Sequence, residues 1–209
     1  MKRSFSFASV TLALLQVSPA LAQDPAAAEA LFNKGVAEMQ AGHFDVACPA
    51  IAESQRLDPR PGTLFTLAEC EAKSGKIATA LVHYDDYIHA ADGLPAAQKK
   101  RHAERVEIAR GQKTALAPKV PTLTLVLPRG APASLEVSRD GTALSAASLG
   151  VALPVDPGEH VVVTSLPNGA KTEQRITIAR GDKKTLELQW KPAGSAGPAS
   201  IATSLSVDS

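Results

Sequence analysis

Aromatic side chains are scarce, at 4% of 209 residues, and tryptophan occurs once. Neither sign of charge dominates: 22 basic residues face 21 acidic ones, for a formal net charge of +1. A chain without basic excess, and without rings on which bases could stack, lacks the footprint of a nucleic-acid binder or an acidic-membrane binder. Also missing are a Gly-rich phosphate loop, a nucleophile elbow, a paired-histidine zinc motif and a CxxC pair. With no constellation that specifies a reaction, the expectation is a non-catalytic protein with no cofactor and no small-molecule substrate. Only one apolar run is long enough to consider as a targeting segment, and it lies at the start.

That start reads as a secretory signal peptide over residues 1–22. Lys2 and Arg3 form a positive flank, Phe5 to Val17 an apolar stretch, and Ala20-Leu21-Ala22 the small residues a signal peptidase requires. The alternative, an uncleaved anchor, needs about 20 apolar residues and the stretch is shorter. Cleavage after Ala22 leaves Gln23 as the new N-terminus of a soluble, exported chain, periplasmic or extracellular. No cysteine follows the apolar stretch, which excludes a lipoprotein. Fewer than 190 residues then remain, enough for one or two compact domains. Cys48 and Cys70 accordingly sit in an oxidising compartment. There two cysteines either pair or persist as small buried hydrophobes.

Helical patterning spans roughly 25–117 and strand patterning roughly 120–190. Pro118-Lys119-Val120-Pro121 marks the boundary, because two prolines three apart forbid a continuing helix. The expected fold is α+β in two domains: a helical domain over 23–118 and a small all-β sandwich over 119–190. Residues 191–209, rich in Gly, Pro, Ala and Ser, read as a disordered tail. Asp24-Pro25 opens the first helix and Gly42 closes it. The second covers about Asp45 to Leu57, with Pro49 delaying or kinking its start. Thr63 caps a third helix ending at Ser74-Gly75, the fourth runs from Ile77 to Ala91, and a basic fifth begins near Pro95.

Strand alternation appears at Leu123, Leu125 and Leu127, at Leu135 and Val137, at Val161 and Val163, at Ile176 and Ile178, and at Leu186, Leu188 and Trp190. Turn chemistry separates these runs at Arg139-Asp140-Gly141, Asp156-Pro157-Gly158-Glu159, Pro167-Asn168-Gly169 and Arg180-Gly181-Asp182, the last read as a hairpin. Short strands at this spacing argue for a sandwich.

The helices repeat. Gly35 aligns with Ala68, Gly42 with Gly75, Phe44 with Ile77 and Ala47 with Ala80, all at one offset of 33 residues. Small, Gly, large apolar and Ala positions in this order, with Leu57-Asp58-Pro59 ending the first unit, resemble the tetratricopeptide (TPR) repeat. Two repeats and a polar capping helix are implied. The stretch Leu153 to His160, followed by a valine strand, resembles the PEGA domain, an immunoglobulin-like module of bacterial envelope proteins. Its turn here is Asp-Pro-Gly-Glu rather than the family's Pro-Glu-Gly-Ala.

Together these resemblances imply an exported protein–protein interaction or scaffold module of the cell envelope. Its concave groove would carry Phe32, Asn33, Val36 and Met39 in the first repeat and Phe65, Glu69, Ala72 and Lys73 in the second. The partner is a protein segment; a cell-wall or outer-membrane component, held through the sandwich by a structural envelope protein, is the alternative. In a TPR stack the helices bearing Cys48 and Cys70 are antiparallel neighbours, so the resemblance implies a disulfide between them. His83, Asp85, Asp86 and His89 on one helix read as a solvated surface and not as a metal site. Lys99, Lys100, Arg101, Arg105, Arg110 and Lys113 read as a solubilising face.

Overall fold

The computed structural model describes residues 24–167 and 169–191. The expected signal peptide and residues 192–209 of the expected tail lie outside the described residues. Five helices precede seven strands among the described residues. The helices are α1 (Pro25–Gln40), α2 (Phe44–Leu57), α3 (Pro61–Ser74), α4 (Ile77–Asp92) and α5 (Ala96–Leu116).

Helix starts and stops follow local chemistry. The Asp24 carboxylate accepts the Ala27 N–H at 3.0 Å, and Pro25 occupies the first turn. Gly75 closes α3 at φ +91°, and Gly42 turns the chain after α1 at φ +82°. One expectation is narrowed here and one fails. Of the two effects expected of Pro49, the delay is absent, since α2 begins at Phe44 and carries the proline inside it. Thr63 is not the cap of α3, because Pro61, with its fixed φ, already starts that helix and Arg60 stands at the N-cap.

The small residues aligned at the crossings of the two helical hairpins are all buried. Ala68, Ala47 and Ala80 are fully buried, and Gly35 is buried where α1 crosses α2. A Cβ on Gly35 would come within 2.5 Å of Ile51 Cγ1 and 3.1 Å of the Ala47 carbonyl oxygen, so only glycine fits. Two apolar clusters fill the helical domain. One joins Ala47, Ile51 and Leu67 around Cys48 and Cys70, which form a disulfide with Cα atoms 5.6 Å apart. The other joins Phe65, Ile77, Tyr84, Tyr87, Val106 and Leu116 across α3, α4 and α5. Cys70 is fully buried and Cys48 nearly so, and both lie on the facing surfaces of α2 and α3.

The strands are β1 (Thr122–Val126), β2 (Glu136–Arg139), β3 (Thr142–Leu144), β4 (Ala152–Pro154), β5 (Gly158–Ser165), β6 (Lys171–Ile178) and β7 (Lys183–Glu187). They form two sheets, ordered β4-β1-β7 and β3-β2-β5-β6. In the first, β1 runs antiparallel to β4 and parallel to β7, with Thr122 opposite Lys183. The second is antiparallel throughout. Leu123, Leu125, Val137, Val162, Ile178 and Leu188, from both sheets, make the core of the β-domain.

Three strand-level expectations change. Leu127 is exposed and lies beyond β1. In β5 the buried phase is His160, Val162 and Thr164, not Val161 and Val163. The polar members of that phase are satisfied inside. Thr164 Oγ1 donates to the Gln189 carbonyl at 2.6 Å, and the His160 ring nitrogens face the Asp140 carboxylate and the Asp156 carbonyl, each at 2.7 Å. Finally, Arg180-Gly181-Asp182 is not a hairpin, since β6 and β7 belong to different sheets. Its backbone ties to the interdomain linker instead, with Gly181 N–H donating to the Lys119 carbonyl and Thr122 N–H to that of Asp182.

The domains are latched by one carboxylate. Lys76, the N-cap of α4, makes no side-chain cap hydrogen bond. Asp156 supplies it from the turn before β5: Oδ1 accepts the N–H groups of Ala78 (2.7 Å) and Thr79 (3.1 Å), and Oδ2 accepts the Thr79 hydroxyl (2.5 Å). A carboxylate at a helix N-terminus satisfies orphan donors and complements the helix dipole. Asp156→Ala is expected to lower unfolding free energy by about 1–2 kcal/mol in urea titration. A stability equal to the parent protein's would show that the cap holds nothing together.

Candidate functional site

A groove of about 860 Å³ lies on one side of the helical domain. Its walls come from α1, the end of α2, the start of α3 and the first half of α5. On α1 the spacing of Ala28, Phe32 and Asn33 puts all three on the groove side. Ala28 is buried at the base, Phe32 half-buried on the wall, and Asn33 exposed at the lip.

The start of α3 opens into the groove without a side-chain cap. Leu64 N–H reaches the Arg60 carbonyl, but the N–H groups of Gly62 and Thr63 have no partner among the described residues. Two nearly buried hydroxyls line the same space, Ser54 (3% exposed) and Thr63 (7%). Neither hydroxyl hydrogen-bonds any described residue. Since no fully enclosed side-chain oxygen or nitrogen among the described residues lacks a partner, both oxygens open onto the groove.

From α5 come Arg101, His102 and Arg105. The Arg105 guanidinium lies 5.8 Å from the centre of the Phe65 ring, and its Nη1 would stand 3.7 Å from a Cβ on Gly62. No carboxylate among the described residues pairs with Arg101 or Arg105, whereas Arg60 is held by Asp58 at 2.5 Å. His102 Nδ1 hydrogen-bonds the buried Tyr87 hydroxyl at 3.0 Å. Burial pushes the Tyr87 phenol up, so it stays neutral and fixes the imidazole against the core.

Of the residues expected on the groove, Phe32 and Asn33 line it. Val36 is half-buried further along α1, and Met39 packs against the disulfide cluster. Phe65 is 8% exposed in the α3–α4–α5 core, its ring 6.2 Å from that of Tyr84 and 5.1 Å from that of Tyr87. Ala72 packs against the same core, Glu69 is half-buried, and Lys73 is exposed. The groove therefore does not gather the eight residues. Arg60, Ser54 and Thr63 line it without having been singled out for it. Arg101 and Arg105, four apart and so on one helical face, carried the one readable signal.

The histidine and aspartate residues of α4 are engaged locally. His83 Nδ1 hydrogen-bonds Glu71 at 2.6 Å, and that carboxylate raises the His83 pKa against the opposing effect of burial. Asp85 pairs with Lys113, and His89 donates to the Asp85 carbonyl. Among the described residues no three His, Cys, Asp or Glu side chains could hold a metal ion. A smaller cleft of about 400 Å³ lies beside Trp190 at the end of the β-domain.

No protein-family model matches the chain, and a search of curated proteins returns no significant match.

Proposed function

We propose that this chain is an exported, non-catalytic interaction module of the cell envelope, built from TPR-type hairpins followed by a PEGA-like immunoglobulin-type domain. The helical groove takes a protein segment, and the β-domain acts as a rigid mount. The observation that carries this reading is the groove itself: an apolar wall at Phe32 faces donors that nothing in the described protein uses. Three further features support it. The hairpins repeat at one offset, with equivalent small residues at each crossing. The Cys48–Cys70 disulfide is compatible with export. Among the described residues no helix is long and apolar enough to cross a membrane.

Site-specific photocrosslinking tests the reading. A benzoylphenylalanine at exposed Asn33 is expected to yield a polypeptide adduct in the producing cell, and Phe32→Ser is expected to abolish that adduct while helicity is retained. The same probe at exposed Thr185 on β7 serves as the contrast. Adducts confined to Thr185, or sedimentation only with wall or membrane fragments, would favour a structural protein attached through its sandwich and overturn the groove.

A further inference from the structure

We propose that the groove is selective for acidic segments: a peptide carboxylate sits between the open N-terminus of α3 and the Arg101 and Arg105 guanidinium groups of α5. This deepens the groove reading and rests on it. Several independent observations converge on one spot. The start of α3 presents two N–H groups without partners, at the positive end of the helix dipole. Arg105 stands directly against that positive end, with Nη1 3.7 Å from where a Gly62 Cβ would be. Like signs brought together raise the energy of the empty site; of the two carboxylates lining the groove, Asp58 is taken by Arg60 and Glu29 stands at the rim, and among the described residues neither pairs with Arg101 or Arg105. Elsewhere in the molecule the same problem is solved: the start of α4 receives Asp156, and Arg110 and Arg175 each have a carboxylate partner.

Ser54 and Thr63, both residues more than nine-tenths buried, add two hydroxyl donors that open onto this space with no partner among the described residues. An oxyanion placed there would collect backbone, hydroxyl and guanidinium donors together, the combination that helix N-termini use for anions. The groove exceeds what one carboxylate fills, and its size sits near the upper end of small-ligand sites. The Phe32 ring on the opposite wall suits the aliphatic stem or a neighbouring side chain of a peptide. That mixture of a charged floor and an apolar wall favours an acidic peptide over a free inorganic anion. Glu29, exposed at the rim and unpaired among the described residues, biases the groove against segments dense in negative charge on that side.

The test uses the full chain and a fluorescein-labelled hexaglutamate peptide, followed by anisotropy at low ionic strength. Binding is expected, and the Arg101→Gln/Arg105→Gln double variant is expected to weaken it by about tenfold or more with unchanged circular dichroism. Lys99→Gln/Lys100→Gln removes the same charge from the same helix outside the groove and should leave affinity within about twofold. Glu29→Gln is expected to strengthen binding. Equal loss in the two double variants would reduce the effect to net charge and overturn the inference. So would displacement of the peptide by an equal concentration of inorganic phosphate, or equal binding of hexalysine. Failure here is distinct from failure of the groove itself: an Asn33 adduct that persists undiminished in the arginine double variant keeps the groove and removes its charge preference.

Discussion

Phe65→Ala is expected to lower the unfolding free energy by about 3–5 kcal/mol, the usual cost of deleting a buried ring. Phe65 is 8% exposed and wedged between Tyr84 and Tyr87, both essentially inaccessible to solvent. Its edge contact with Tyr84 and tilted contact with Tyr87 add specific attraction to the area removed from water. The three rings join α3 to α4, and through Val106 and Ala109 to α5, so apart from the Arg105 side chain over the ring a cavity there is walled by packed core. Phe32→Ala, on a half-buried ring at the groove wall, should cost about 1 kcal/mol or less. Urea titration of the two variants separates a structural ring from a binding one. Equal, small losses at both positions would mean that the α3–α4–α5 core does not depend on Phe65.

Removal of the Cys48–Cys70 bridge, by Cys48→Ala/Cys70→Ala or by reductant, is expected to lower stability by about 3 kcal/mol. The two residues are 22 apart in sequence, and closing a loop of that size restricts the unfolded chain by about that amount in the chain-entropy model. Of a typical total near 5–15 kcal/mol, that is a large share. The dependence should be strong here because the α1–α2 hairpin shares little else with the rest: its cluster reaches α3 mainly through Leu67 and Cys70. Alanine keeps the site apolar, so the double variant isolates the covalent link from burial of polar atoms. Thiol labelling of the denatured, unreduced protein should find no free cysteine. An unfolding midpoint indifferent to reductant would overturn the prediction.

Helix limits were legible wherever a residue carries its own boundary chemistry, as at Asp24-Pro25 and Ser74-Gly75. They were misread at Thr63, where a plausible cap competes with a proline two residues earlier and the proline's fixed φ wins. The phase of β5 was not readable, because Val161, Val162 and Val163 satisfy either parity. What selects the parity is a pair of polar residues whose partners, Asp140 and Gln189, come from other segments. Asp140 illustrates the coupling. Burial pushes its carboxyl up, but hydrogen bonds from His160 and the Val161 N–H outweigh that and hold it below the usual carboxylate range. The crossover between β6 and β7 was hidden for a similar reason: Arg-Gly-Asp suits any tight reversal and says nothing about which sheet follows. In the groove, the four-residue spacing of Arg101 and Arg105 was visible. Their approach to the start of α3 depends on how α5 packs over Phe65 and Tyr87, which no local pattern encodes.

The parallel pairing of β1 with β7 has a bearing on how the molecule is made. The first and last described strands of the β-domain lie side by side, so the three-stranded sheet cannot close until the chain has been synthesised through Glu187. Such long-range closure is slow, because the loop must be ordered before the pairing repays it. Apart from the Asp156 cap on α4, the helical hairpins pack on near neighbours in sequence and can form as they emerge, N-terminus first. During that interval Leu123 and Leu125 have no sheet to enter, and the start of α4 waits for Asp156 with its N–H groups open. The nascent chain therefore passes through a stage in which a finished helical half trails an unpaired, leucine-bearing strand. At that stage a holdase would act on the β-half alone.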